Sequence, residues 1–349
     1  MSSPSRYDRQ TRLGVIGRAG QQRIEQSRVA VLGCGALGTV AADILARAGV
    51  GTLCLIDRDV VEWSNLQRQS LYHEADAIAG RAKAEVAAER LTLANSTVRY
   101  EPRVADVTAD NIGELLSGVD LAIDASDNFS IRFLLNDYSL RYRLPWVHGG
   151  CVGTTGQVMF FRGEGKPCFR CLVPQPPPST AVATCDTAGV LGSATHAIAS
   201  LQATDALKWL SGNEQSIRRG VWSLDFWENR SREVALPAAL SESCPACGRG
   251  ELTFLDAVGE HSGGAAEVLC GRDSVQLPAP RGAGDEIPQL AALAARWGQL
   301  GEVQTTRFFA RLTLPDQLTL TVFRDGRTVV DGTRDPSKAK SLHARYVGG

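Results

Sequence analysis

Three groups of residues in this 349-residue chain have types and spacings that can do chemistry. The first is Gly33-Cys34-Gly35-Ala36-Leu37-Gly38, a GxGxxG stretch that follows an apolar run and opens a helical one. Gly33, Gly35 and Gly38 permit a tight turn and close backbone approach, and a helix N-terminus there favours phosphate. Asp57 ends the next apolar run, 24 residues beyond Gly33, where a carboxylate can accept from ribose hydroxyls. The motif implies a nucleotide without naming it. An NAD-dependent oxidoreductase is the most common owner of such a turn, and a purely structural Gly-rich turn is the alternative.

The second group argues against hydride transfer. Ser64-Asn65-Leu66-Gln67-Arg68-Gln69 sets amide and guanidinium groups past the second strand, and Gly80-Arg81-Ala82-Lys83 puts a lysine at the start of a helix. Asp124-Ala125-Ser126-Asp127-Asn128 places two carboxylates at the end of another strand. Taken singly these are solvated surface charges. Together at strand ends, Arg68, Lys83 and a carboxylate suit a triphosphate with Mg²⁺, because a hydride donor needs no metal clamp.

The third group is cysteine. Of nine in the chain, Cys168/Cys171 and Cys244/Cys247 form two CxxC pairs separated by 73 positions. Four thiolates in such pairs suit a closed structural Zn²⁺ site, although the long gap leaves two unrelated redox or buried pairs open. Cys185 stands alone behind the proline-rich stretch 174–178 and before an apolar helix, where a helix N-terminus favours the thiolate. Cys34, Cys54, Cys151 and Cys270 read as small buried hydrophobes, and His148 and His196 as core or supporting residues.

These residues need elements to hold them. Apolar strand-like runs at 28–32, 52–56, 98–104 and 120–124 alternate with helical runs at 36–48, 82–93 and about 110–116. That alternation predicts an α/β fold, a Rossmann-like, mostly parallel sheet with helices on both faces. The expected organisation is an N-terminal helical segment at 1–26, a nucleotide-binding half at 27–150 and a zinc-bearing half of the same domain at 151–250. The second half is less regular apart from a helix over 192–210. A Gly- and Pro-rich linker over 251–285 then leads to a small α+β domain at 286–349. That domain has a helix at 288–297, strands at 308–314, 317–323 and 328–330, and a last helix from Asp335.

With 37 basic and 38 acidic residues, the chain has no electrostatic footprint for nucleic acid or an anionic membrane. The apolar stretch 29–56 carries Asp43 and Arg47 and does not read as a membrane span. The polar start MSSPSRYDRQ is no signal peptide, and the odd cysteine count points to a reducing, cytoplasmic compartment.

These motifs resemble one family, the adenylyltransferases of the ThiF/MoeB/HesA type, relatives of ubiquitin-activating enzymes. The likeness runs in order from Arg6-Tyr7-Asp8-Arg9-Gln10 and Gly20-Gln21-Gln22 through the glycine turn, Asn65 to Gln69, Gly80 to Lys83 and Asp124 to Asn128. It continues through Pro167 to Leu172, Thr184 to Val190 and the 192–210 helix to Cys244-Pro245-Ala246-Cys247-Gly248, about 250 residues in all. The C-terminal extension is similar, over a shorter match, to tails of thiazole-branch members.

The resemblance implies that Asp57 holds the ribose, that Asn65, Arg68 and Lys83 bind ATP phosphates, and that Asp127 coordinates Mg²⁺. It implies that Arg9 reaches into a partner subunit's site, hence a homodimer, and that the four paired cysteines hold Zn²⁺. Cys185 is where some members form a covalent adduct with their substrate. The expected activity is ATP-dependent adenylation of the C-terminal Gly carboxylate of a small ubiquitin-like sulfur-carrier protein, ThiS- or MoaD-like, serving thiamine or molybdopterin biosynthesis. No rhodanese-like segment is apparent, so sulfur is expected from a separate donor protein. A catalytically inactive zinc-bearing scaffold is a third reading, which the presence of Arg68, Lys83 and Asp127 disfavours. The chain also ends in Gly348-Gly349, the terminus expected of its own substrate.

Overall fold

A computed structural model of the chain describes residues 6–177, 188–257, 267–268, 273–279, 289–316 and 318–348. Cys185, Cys270 and Gly349 lie outside the described residues. Two compact units divide the chain, Met1–Asp256 and Ala257–Gly349.

The first unit is built on an eight-stranded sheet with order β3-β2-β1-β4-β5-β6-β7-β8. β1 (Arg28–Leu32), β2 (Thr52–Ile56), β3 (Arg99–Arg103), β4 (Leu121–Asp124) and the start of β5 (Trp146–Val152) pair in parallel. β6 (Thr155–Phe161), β7 (Val221–Asp225) and β8 (Arg230–Val234) continue it antiparallel. Strand side chains alternate between faces. Val29, Val31, Leu53, Leu55, Leu121 and Ile123 enter the core formed with the helices Gly38–Ala48, Lys83–Ala94 and Gly192–Leu210. Ala30, Leu32, Cys54, Ile56 and Ala122 enter a second core with the helix Phe129–Tyr142. Both faces are covered, as the apolar runs require. Among the described residues no helix is long and apolar enough to cross a membrane.

The elements near the nucleotide motif fall within a few residues of their predicted positions, while the Phe129–Tyr142 helix and the strands β5 to β8 were not foreseen. The helix buries Arg132, Asn136, Asp137 and Ser139 alongside Phe133 and Leu135, so no apolar stripe marks it. β5 reads WVHGGCV, its apolar run broken by His148 and two glycines. β8 is an edge strand exposed at every position, without the alternation that betrays a half-buried strand.

In the second unit the strand order is β11-β12-β13-β14-β10-β9. β9 (Glu267–Val268) and β10 (Ser274–Leu277) fall in the stretch expected to be a linker, where surrounding Gly and Pro hid the run containing buried Val275 and Leu277. β11 (Glu302–Thr305), β12 (Phe309–Thr313), β13 (Thr319–Phe323) and β14 (Thr328–Asp331) complete the antiparallel sheet. Ala310, Leu312, Leu320, Val322 and Val330 pack with Leu293 and Trp297 of the helix Leu290–Trp297 and with Ala339 of the helix Pro336–Tyr346.

Candidate active site

The strand order turns back between β1 and β4, and a crevice opens at the carboxyl ends of β1, β2 and β4, the place where doubly wound sheets take ligands. Gly33, at the end of β1, has φ +92°, and a Cβ there would stand 2.8 Å from the carbonyl oxygen of Ala125. Only glycine fits so close a crossing of two backbones. Gly38 meets the same restriction from the other side, because a Cβ would run into the Gly33 carbonyl. Gly33 and Gly35 line the crevice, whereas Gly38 closes the turn behind them.

Asp57 holds that turn in place. Its Oδ2 accepts from the Cys34 backbone N–H at 2.6 Å and its Oδ1 from the Asp59 N–H at 2.7 Å. Burial pushes its carboxyl up from the ordinary value, against the pull of Lys83. Tyr72 secures the turn from behind, its hydroxyl donating to the Cys34 carbonyl at 2.6 Å.

Lys83 and Arg68 both reach the crevice. Lys83 opens its helix with its side chain only 6% exposed and its Nζ 3.3 Å from Asp59 Oδ2. Arg68 is half-buried, and its Nη1 donates to the Ser64 carbonyl at 2.8 Å. Asn65 is not in the lining. It is buried in the short helix Trp63–Asn65, where its Oδ1 accepts from the Glu62 N–H at 3.1 Å, fixing the turn that presents Arg68.

The two carboxylates at the end of β4 have opposite environments. Asp127 is exposed and lines the crevice. Asp124 is fully buried, with Oδ2 2.8 Å from His148 Nδ1 and 3.2 Å from Arg132 Nε, and Oδ1 accepting from the Ser126 hydroxyl at 2.6 Å. Burial would raise its pKa, but Arg132 and His148 outweigh it and hold the carboxyl below the usual range. His148 is held below the ordinary histidine value, burial outweighing the pull of Asp124. His148 and Arg132 were not singled out for the site from sequence. Parallel pairing of β4 with β5 puts Asp124 opposite His148, a neighbourhood that no local sequence pattern marks.

Arg9 is exposed on the helix Asp8–Thr11 and does not line the crevice of its own chain. Cys185 lies outside the described residues. Val190 lines the crevice, and Leu191 N–H donates to the Gly153 carbonyl at 2.8 Å just beyond β5. His196 Nδ1 faces the Gly192 carbonyl at 2.8 Å within its own helix.

The two CxxC pairs come together. The four sulfurs of Cys168, Cys171, Cys244 and Cys247 lie within 4.8 Å of one another, with Cys168 to Cys244 at 3.7 Å and Cys171 to Cys247 at 3.4 Å. Tetrahedral Zn–S bonds of about 2.3 Å put sulfurs about 3.8 Å apart, so the set fits zinc. Burial and the neighbouring thiols push Cys168 well up and Cys247 to about 12. Cys244 goes the other way: burial is outweighed by the backbone N–H groups of Cys247 and Ala246 pointing at its sulfur. Four thiols packed this closely, with backbone donors aimed at one of them, form a donor set that suits a divalent cation.

Comparison with known proteins agrees with this geometry. The profile of the ThiF family matches residues 7–246. The sulfur carrier protein ThiS adenylyltransferase of Bacillus subtilis is 39% identical over 344 residues, 98% of this chain and 99% of that protein. The sulfur carrier protein adenylyltransferase of Thermus thermophilus is 40% identical over 248 residues, 70% of this chain and 90% of that protein. Among solved structures, E. coli MccB with ATP superposes with a TM-score of 0.61 at 23% identity, covering 70% of this chain and 75% of that one, a likeness of fold.

Proposed function

The chain belongs to the ThiF family, and from that premise we propose that its crevice is where ATP and the C-terminal carboxylate of a carrier protein react. The enzyme is an E1-like adenylyltransferase that activates a ubiquitin-like sulfur-carrier protein. The observation that carries the site reading is the convergence of Lys83, Arg68 and Asp127 on one glycine-turn crevice.

A C-terminal carboxylate is ionised at neutral pH, so the attack needs no general base. Its oxygen forms a bond to the α-phosphorus of ATP in line with the bond to the bridging oxygen, which breaks, and pyrophosphate leaves with the electron pair. Lys83 and Arg68 meet the negative charge that shifts onto the leaving group, and their fixed positions in a partly dry crevice make that charge cheap to develop. Asp57 keeps the glycine turn closed against the nucleotide and offers oxygens to the ribose. Asn65 acts with Arg68 by shaping its turn at the phosphates. The exposed carboxylate of Asp127, in a crevice meant for phosphates, fits the way Mg²⁺ is held. Bound there, Mg²⁺ supplies positive charge to the triphosphate.

Arg9, turned away from its own crevice, serves the crevice of a second copy, which makes the working unit a homodimer. Cys185 takes the activated carrier covalently, and a separate protein supplies sulfur for the thiocarboxylate. Zn²⁺ sits in the four-cysteine knot as a structural ion, and the odd cysteine count supports a reducing, cytoplasmic compartment. The carrier is ThiS-like, and the likeness to the Bacillus enzyme across the second unit as well as the first supports that choice.

The test is ATP–pyrophosphate exchange with purified ThiS-like and MoaD-like carriers. Exchange that depends on a carrier with an intact Gly-Gly end is expected. NADH binding without any exchange would instead return the crevice to an oxidoreductase.

A further inference from the structure

At the floor of the crevice lies a set of buried polar groups centred on the fully buried Asp124, reaching the lining through Ser126 and Arg132. Asp124 collects it: Oδ1 accepts from the Ser126 N–H at 3.1 Å and the Ser126 hydroxyl at 2.6 Å, while Oδ2 faces His148 Nδ1 and Arg132 Nε. Arg132 then donates from Nη2 to the Ser126 carbonyl at 2.6 Å. Ser126 is thus held at its N–H, its hydroxyl and its carbonyl, and the next residue is Asp127.

The supports come from different elements. His148 is on β5, Arg132 on the Phe129–Tyr142 helix, and Gln202 on the Gly192–Leu210 helix donates to the Asp124 carbonyl at 2.7 Å. The His148 ring is fully buried beside Phe169, with ring centres 5.4 Å apart. Gln157 on β6 places its Nε2 3.3 Å from His148 Nε2. An amide donor there leaves Nε2 as the acceptor and Nδ1 as the N–H that faces Asp124.

We infer that His148 and Arg132 are positioning residues that, through Asp124 and Ser126, fix the loop on which Asp127 reaches the crevice. The inference rests on the adenylation reading given above. A buried carboxylate held between His148, Ser126 and the Arg132 guanidinium has one orientation, and through it Ser126 has one as well. Removing the Nδ1–H lets the carboxylate turn and frees Ser126. Asp127 then loses its aim while Lys83, Arg68 and the glycine turn keep theirs. Ground-state binding of ATP and carrier should therefore survive better than turnover.

The test compares His148→Phe, which keeps a packed ring without a donor, with His148→Asn, whose side-chain amide can stand in for Nδ1–H. Ser126→Ala, which removes one hydroxyl from the set, serves as a gentler third variant. In ATP–pyrophosphate exchange, His148→Phe should lose about 10- to 100-fold in kcat with KM values for ATP and carrier within about threefold. His148→Asn should recover most of that loss, and Ser126→Ala should fall between.

Hydrogen–deuterium exchange of the nucleotide-free proteins provides a readout independent of turnover. The 124–128 segment should exchange faster in His148→Phe and Ser126→Ala, with the Gly38–Ala48 helix unchanged. Wild-type kcat and wild-type loop protection in His148→Phe would overturn the inference. So would equal losses in the Phe and Asn variants accompanied by faster exchange throughout the chain. If the wild-type enzyme shows no exchange with any carrier, the adenylation reading falls, and deuterium exchange still decides whether His148 holds the loop.

Discussion

The peptide N–H of Phe169, the residue after the zinc-knot cysteine Cys168, donates to Asn136 Oδ1 at 2.8 Å. Asp137, next on the same helix, accepts from the Phe254 N–H at 3.0 Å. The helix Phe129–Tyr142 therefore holds the Asp127 loop at its start and the four-cysteine knot along its length. Stripping the metal should release one zinc per chain, read by elemental analysis. It should also lower the melting temperature by at least about 5 °C, on the order of 2 kcal/mol for a unit of this size. Unchanged melting after complete removal would make the knot irrelevant to the fold.

Lys83→Ala and Asp127→Ala should each reduce ATP–pyrophosphate exchange by about 10³-fold or more. The fold should persist in both. Asp59, left without its lysine, is 40% exposed and can turn to water, and Asp127 is already exposed. Circular dichroism matching the parent, together with lost exchange, is the expected pair of results. Full exchange in either variant would show that the charge on the leaving group is met elsewhere.

Gly33→Ala forces a side chain into a φ of +92° and against the Ala125 carbonyl. The strain should cost roughly 1–3 kcal/mol of stability. The turn must also open, so the KM for ATP should rise by about tenfold or more, while the KM for carrier moves less. Equal binding of ATP by the variant would remove the glycine turn from the nucleotide site.

Stability should depend on pH through His148. Its pKa is lowered in the fold because burial disfavours the imidazolium. The unfolded chain therefore binds a proton that the folded chain refuses between the ordinary value, about 6.5, and the lowered one. The contribution is complete above about pH 6.5 and is lost as pH falls through that window. Asp124, also lowered, adds a similar loss only below the ordinary carboxylate value, about pH 4. His343, lowered by burial in the second unit, acts in the same direction as His148. The denaturant midpoint of the first unit should fall between about pH 7.5 and pH 5.5, and His148→Asn should flatten that fall. An unflattened profile would assign the dependence to other groups.

What the sequence displayed and what it hid divide along a physical line. The glycine turn, Asp57 and Lys83 are legible because each sits at a strand end or helix start that short-range periodicity marks. Asp127 is legible for the same reason, three residues after the end of β4. His148 is not, since its partner Asp124 is a neighbour only across the β4–β5 pairing, and the strand that carries it is broken by Gly149 and Gly150. The cysteine pairs lie in between: each CxxC is visible locally, while their meeting depends on the chain returning after β7 and β8. β8 itself, exposed throughout, carries no pattern to read.

The most direct measurement is intact-protein mass spectrometry of Gly-Gly-ended carriers after incubation with the enzyme, ATP and Mg²⁺. A mass gain of one AMP on a ThiS-like carrier, absent with Asp127→Ala and absent when the carrier's terminal glycine is removed, is the predicted result. ATP binding without AMP on any carrier would contradict the account, leaving a ThiF fold whose crevice holds a nucleotide and transfers none of it.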